Sequence, residues 1–219
     1  MTAFGRVAAV TGKELLLEWR GRQTATAMGM VALLVILFLG FLLGSEPTRA
    51  PAVLWVAMGF ATVLGIPRLT QAEVEQHTLE TLLLYPGSRE HIYWGKFLAL
   101  VVMLTALLVF MWALVGVLFN IPIWSQLPAL IGVGLLGVIG LGALGTLLAG
   151  VVLHVRAREL MMPLLLLPLS LPVVLGCVRL TEAALAGGGE DVWLVVLGVF
   201  VLIALLVCPI LFEVVMEEP

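Results

Sequence analysis

The chain has 219 residues, of which 62% are hydrophobic and only 11% are charged. Soluble domains average roughly 45–50% apolar and about 25% charged residues, so this composition is typical of a membrane protein. The 11 basic and 14 acidic residues give a net charge of -3. That balance excludes the basic surface that a nucleic-acid-binding protein presents.

Residues 4–20 are predicted to form an amphipathic helix that lies in the headgroup region of the membrane. Its apolar side carries Phe4, Ala8, Leu15 and Trp19. Its polar side carries Arg6, Lys13 and Arg20, with Glu14 and Glu18 adjoining them. Such a helix is either a basic anchor that only sets topology or an elbow that levers the first span. The apolar run after it is about twice as long as a signal-peptide core, so we expect it to stay in the mature protein.

Six segments lack Asp, Glu, Lys and Arg over lengths that suit a bilayer, which takes about 20 apolar residues per helix. They are residues 24–44, 50–67, 97–119, 126–153, 160–178 and 192–212. We therefore predict an all-α integral membrane protein with six transmembrane helices in a single domain, 1–219.

The basic residues are distributed unequally between the two sides of these spans. On the N-terminal side are Arg6, Lys13, Arg20, Arg22, Arg68, Arg89, Lys96, Arg156 and Arg158. Only Arg49 and Arg179 lie on the other side. Because basic residues accumulate in cytoplasmic loops, both termini are predicted to be cytoplasmic. Cys177 and Cys208 then lie near opposite faces of the membrane, which predicts no disulfide between them.

The longest polar connection, residues 68–96, lies on the predicted cytoplasmic side. Within it, residues 72–85 read as a helix that Pro86 and Gly87 stop. One face carries Glu73, His77 and Glu80, and another carries Leu79, Leu82 and Leu83. This pattern favours a helix that docks into a soluble partner, because long loops are disproportionately functional. The alternative is an interfacial helix whose leucines only sink into lipid.

Two spans depart from plain apolar helices. The fourth is rich in glycine, which predicts close helix packing inside the subunit or, alternatively, a dimer or gate surface. The fifth contains Pro163, Pro168 and Pro172, each of which removes a helical hydrogen bond. We therefore expect this span to be kinked or broken and to line protein or a cavity rather than lipid.

Several kinds of chemistry have no candidate residues in the sequence. No ionisable residue lies in the central part of a span, which argues against an ion-coupled carrier or an intramembrane enzyme. No Cys or His pair has metal-ligand spacing. The pairs Gly12-Lys13 and Gly95-Lys96 lack the other residues of a phosphate-binding loop. We predict a non-catalytic subunit, driven by ATP hydrolysis on another chain.

Four motifs carry a resemblance to a known family. They are GKELLLEWR at 12–20, VLWVA at 53–57, VEQHTLETLLLYP at 74–86 with GK at 95–96, and LPLSLPVVLG at 167–176. In order, spacing and total length the chain resembles the haem exporter protein B (CcmB) family, permease components of an ATP-binding-cassette complex in cytochrome c maturation of the bacterial inner membrane.

The resemblance implies a permease that pairs with a CcmA-type ATPase and works with CcmC and the small CcmD. In this family's pathway, ATP hydrolysis is associated with release of the haem-loaded chaperone CcmE. Motif positions carried over to the ATPase-coupling segment are Glu75, Leu79, Glu80, Leu82, Leu83, Leu84 and Pro86, and those carried over to the fifth span are Pro168 and Pro172. Two copies of the chain with one ATPase pair are the expected arrangement.

The three histidines, His77, His91 and His154, all fall on the predicted cytoplasmic side. The chain is therefore expected not to ligate haem axially through histidine, and any haem contact is expected to be apolar and shared with other subunits. Two alternatives stay open. One is an exporter permease of the same architecture for a lipid, drug or polysaccharide, and the other is a non-transporting membrane scaffold.

Overall fold

A computed structural model describes the backbone of residues 3–75, 90–121, 123–152, 158–188 and 191–217. These residues form seven α-helices and two short 3₁₀ helices, and they contain no β-strand. The helices are α1 (Ala3–Gly21), α2 (Gln23–Leu43), α3 (Ala50–Glu75), α4 (Glu90–Leu118), α5 (Leu127–Val152), α6 (Arg158–Ala186) and α7 (Asp191–Glu217). The predicted all-α class is confirmed.

Six of these helices, α2 to α7, are long and apolar enough to cross a membrane. Their candidate spans are Gln23–Leu43, Pro47–Pro67, Glu90–Leu118, Leu127–Val152, Met161–Ala186 and Val192–Met216. The predicted number of spans is therefore confirmed. The third span begins at Glu90 rather than at residue 97, because charged and aromatic side chains at a helix end reach the headgroup region without ending the helix.

The polar connection is shorter than the sequence predicted at both ends. Residues 68–75 continue α3 without a break, and residues 90–96 form the first turns of α4. Pro67 lies inside α3, although a proline removes one intrahelical hydrogen bond. The first part of the predicted coupling segment is thus the end of a helix that begins in the membrane.

Helices α3 and α5 form the centre of the bundle. In the most apolar 18 residues of each, 72% of the residues are buried, against 22–39% in the other four spans. Helix α5 packs against α3, α4, α6 and α7, whereas α2 packs mainly against α3. In lipid, apolar side chains gain nothing by facing protein, so helices associate through close packing of small residues.

The glycines of α5 permit this close approach in several directions. A Cβ atom at Gly137 would lie 2.5 Å from Cζ3 of Trp55 and 2.7 Å from Sγ of Cys177, and one at Gly140 would lie 3.1 Å from side-chain carbons of Val173. Gly134 faces Leu108 in the same way. The glycines therefore serve packing within the subunit, the first of the two predicted alternatives.

A buried hydrogen bond joins the N-terminal part of α3 to α6. The indole N–H of Trp55 donates to Oγ1 of Thr181 over 3.0 Å, and neither side chain is exposed. Cys177 lies one turn before Thr181 on α6, and both Cys177 and Cys208 are free thiols, as the sequence predicted.

Replacing Thr181 with valine is expected to destabilise the protein by about 1–2 kcal/mol, because it leaves the indole N–H of Trp55 buried without its acceptor. The fall is measured as a lower midpoint of thermal unfolding in detergent. Thr62→Val is the matched control, since the buried Thr62 hydroxyl donates only to the Met58 carbonyl of its own helix. Equal stability of both variants would contradict the prediction.

Candidate functional site

The residues predicted to couple the chain to an ATPase fall partly outside the described structure. Glu73 and Glu75 lie in the last turn of α3. The remaining predicted coupling residues are His77, Leu79, Glu80, Leu82, Leu83, Leu84 and Pro86, and they lie outside the described residues. Their shared faces stay a prediction. The described structure does show what the residues on either side of this segment contact.

The first turns of α4, residues 90–97, directly follow the predicted coupling segment, and we call them the α4 start. Helix α1 packs along it. Oγ1 of Thr11 donates to the carbonyl oxygen of Gly95 over 3.0 Å, and it also lies 2.9 Å from the carbonyl of Val7 in its own helix. A Cβ atom at Gly95 would lie 2.5 Å from Cβ of Val10. Gly95 therefore sets how closely α1 approaches α4.

Helix α1 is joined to α2 by a short, well-defined turn. Arg22 adopts a left-handed backbone conformation (φ 51°) between the two helices. Oε1 of Glu18 accepts a hydrogen bond of 2.7 Å from the backbone N–H of Ala25, so the side chain of α1 satisfies a free donor at the beginning of α2. Helix α1 thus has one fixed contact with α4 and another with α2.

The α4 start also contacts the rest of the bundle through aromatic side chains. Tyr93 is fully buried, and its hydroxyl donates to the carbonyl oxygen of Ala143 in α5 over 3.2 Å. Its ring stacks on Phe97 at a centroid distance of 6.1 Å and lies 5.4 Å from the ring of Phe212 in α7. Trp94 meets both Tyr93 and Phe97 edge-on. The α4 start is therefore in direct contact with both α5 and α7.

A small cavity of about 30 Å³ lies where α1 meets α3, α4 and α5. Glu14 and Lys96 line it together with Ile66 and Thr146. Only 8% of Glu14 is exposed, and its Oε1 lies 3.8 Å from Nζ of Lys13. Charged groups are this deeply buried in proteins only where other charges or polar groups compensate them.

The burial of Glu14 corrects the predicted faces of α1. The helical periodicity placed Glu14 beside the solvated basic face, whereas it points into the bundle. The side of α1 that faces protein is formed by Val7, Val10, Thr11 and Glu14, spaced three or four residues apart. Trp19, on the predicted apolar side, is 75% exposed, and the placement of that side in the headgroup region stays a prediction. The spacing of these four residues shows that they share one face of the helix. Nothing in the neighbouring sequence indicated that this face is buried rather than solvated.

The three prolines of the fifth span do not break it. Helix α6 is continuous from Arg158 to Ala186 with Pro163, Pro168 and Pro172 inside it. Of the two predicted alternatives, the break is therefore wrong, and the kink stays a prediction. Pro168 and Pro172 lie on the exposed side of the helix, and the buried side is formed by Met162, Leu166, Ser170, Val173 and Cys177. The expectation that this span lines protein or a cavity rather than lipid stays a prediction, since the exposed side of one chain is also the side that a neighbouring subunit would contact.

Among the described residues, no three His, Cys, Asp or Glu side chains come together as a protein-held metal ion would require. At this end of the bundle, one short segment of α4 contacts α1, α5 and α7. Helix α3 ends at Glu75, before residues 76–89.

The chain is similar to proteins of one family over almost its whole length. The family described as "CcmB protein" matches residues 6–217. A curated relative is the heme exporter protein B of Pseudomonas aeruginosa, which is 27% identical over 186 residues, 82% of either chain. The family match includes α1, all six spans and the segment between α3 and α4, and the chain therefore belongs to the CcmB family.

Proposed function

We propose that this chain is the membrane-spanning permease subunit of an ATP-binding-cassette complex that handles haem for cytochrome c biogenesis in the bacterial inner membrane. Membership of the CcmB family supports this, as does the similarity to a protein named as a heme exporter. The six apolar spans supply the membrane part of such a complex. Both termini lie in the cytoplasm in this proposal, in agreement with the distribution of basic residues.

The proposed partners follow the family's pathway. A CcmA-type ATPase docks on the segment from Glu73 to Pro86 and binds the ATP. CcmC-type and CcmD-type membrane proteins and a second copy of this chain complete the complex, and ATP hydrolysis releases the haem-loaded chaperone CcmE. Haem is the cargo of the complex, and this chain holds no cofactor of its own.

The observation that carries the proposal is the set of contacts made by the α4 start. Movement of the docked segment would reach the bundle by two helix ends, the end of α3 at Glu75 and the beginning of α4 at Glu90. From α4, the bond between Thr11 and Gly95 passes the movement to α1, and the turn at Arg22 passes it to α2. Packed helices shift as rigid bodies, so a small displacement at their ends tilts the spans.

Reversing the charges of Glu75 and Glu80 and truncating Leu79 and Leu83 to alanine is expected to abolish ATPase association and cytochrome c assembly. The measurement is co-purification of the ATPase with the tagged chain in mild detergent, together with the ATPase activity of the purified material. Reversal of Glu217 and Glu218 is the control, because it changes the same number of charges at the same predicted membrane face.

The co-purified proteins also separate the alternatives. An ATPase recovered together with haem-maturation proteins supports the proposal. An ATPase without them would indicate an exporter permease for another substrate, and absence of any ATPase would indicate a scaffold. Full assembly in the fourfold variant would show that the segment from Glu73 to Pro86 does not dock the ATPase.

A further inference from the structure

An apolar cleft of about 630 Å³ lies between the second half of α4 and the first half of α5, and we call it the α4–α5 cleft. It lies at the end of the bundle away from the α4 start. Its walls include Leu108, Trp112 and Ala113 of α4 and Leu130, Ile131 and Gly134 of α5. None of the cleft residues is charged, and the Thr105 hydroxyl already donates to the Val101 carbonyl.

The cleft opens sideways into the bilayer. Both of its walls belong to membrane-spanning helices, and residues at its mouth such as Val117, 84% exposed, point away from the protein. Trp124, which is 86% exposed, belongs to the link between α4 and α5 and lines the end of the cleft nearest that link. Tryptophan at this position is typical of the boundary between hydrocarbon and headgroups. The medium that meets the opening is therefore hydrocarbon, with headgroups at the level of Trp124.

The lining of the cleft favours an uncharged, apolar occupant, because none of its residues is charged. An anionic tetrapyrrole would require cations, and the described cations at this end, Arg49 and Arg179, are each paired, with Glu46 and Glu182 at 3.2 Å. An acyl chain needs no cation, and it is the apolar group that the bilayer itself presents to the opening.

We propose that the α4–α5 cleft is a lipid site, which holds an acyl chain of a membrane phospholipid with its headgroup beside Trp124. The chain would supply the apolar contacts that the facing walls of α4 and α5 do not make with each other, and the Trp112 ring would pack along it. This site lies away from the α4 start, and it does not depend on the function proposed above.

The test uses a phosphatidylethanolamine that carries a diazirine in one acyl chain. It is incorporated into native membranes that contain the full complex, which are then solubilised, washed with lipid-free detergent and irradiated. Adducts are mapped by mass spectrometry. Because washing removes loosely held lipid, we expect about tenfold more adducts on residues 105–138 than on the exposed face of α7, which includes Val195 and Val199.

Ala113→Phe fills the cleft and is expected to remove most of its adducts. Ala106→Phe is the matched control, because Ala106 is exposed on the same helix but does not line the cleft. Val117→Phe narrows the opening of the cleft. Because Val117 is exposed, this variant is expected to fold and to lose the same lipid adducts even if Ala113→Phe does not fold. Equal labelling of α7 and the cleft would overturn the proposal, since it would show bulk lipid only.

Two other occupants would also overturn it. A partner helix is shown if the cleft gains lipid adducts only after the other subunits are stripped from the complex. A tetrapyrrole is shown if retained haem absorbance, rather than lipid labelling, falls in Ala113→Phe and not in Ala106→Phe.

Discussion

Substituting alanine for Gly95 is expected to lower cytochrome c assembly at least about fivefold, the lower end of typical couplings between linked sites. The added Cβ would lie 2.5 Å from Cβ and 2.6 Å from Cγ1 of Val10. Both of those atoms belong to a β-branched side chain that is stiff at its first torsion, so α1 has to move away from α4. That movement weakens the bond from Thr11 to the Gly95 carbonyl, through which α1 would follow the coupling segment.

The measurement is holo-cytochrome c formed per inserted chain, in cells that lack their own copy of the gene. Gly12→Ala is the control, because Gly12 lies on α1 and a Cβ there meets nothing within 4 Å. Both substitutions raise helix propensity equally, by about 1 kcal/mol, so a difference between them reports the contact. Thr11→Val, which removes only the hydroxyl, is expected to act in the same direction but less strongly. Normal assembly in Gly95→Ala would show that α1 does not transmit movement.

The second large effect is expected on stability. Gly137→Ala places a methyl group against the Trp55 ring and Sγ of Cys177, at the contact of α5 with α3 and α6. Neither neighbour is the free end of a flexible side chain, and the Trp55 ring is also held by its bond to Thr181. Overpacking of this kind costs about 1–3 kcal/mol. We expect a midpoint of thermal unfolding several degrees lower and less chain inserted in the membrane.

Gly132→Ala is the matched control for this variant. Gly132 lies on the same helix, five residues earlier, and a Cβ atom there meets nothing within 4 Å. Its stability is expected to be unchanged or slightly higher, because alanine is the better helix former. If Gly137→Ala were as stable as Gly132→Ala, α5 would not be as closely packed against α3 and α6 as the structure describes.

The six spans could be predicted from sequence because the bilayer imposes a local requirement. A segment that crosses hydrocarbon must satisfy its backbone internally over about 20 apolar residues, whatever surrounds it. This rule located α2 to α7 to within a few residues at most ends. It failed at Glu90 and beyond residue 178, where polar residues continue the helix in or near the headgroup region.

Which side of each helix faces protein was decided only by the tertiary structure. In lipid, an apolar residue is equally at home against a neighbouring helix or a hydrocarbon chain, so hydropathy did not distinguish the buried Leu166 from the exposed Leu164. The same limit applied to Pro168 and Pro172, whose position on the exposed side of α6 no sequence pattern indicated.

At the candidate site, too, some features followed from the sequence and others only from the tertiary structure. Composition and motifs alone determined a six-span membrane protein with the resemblance that the family match then bore out. The tertiary structure alone decided that Glu14 is buried, that Gly95 brings α1 onto α4, and that α4 and α5 enclose an apolar cleft. The physical reason is that these features depend on which helices lie side by side, and residues 84 positions apart, such as Thr11 and Gly95, leave no local signal of their contact.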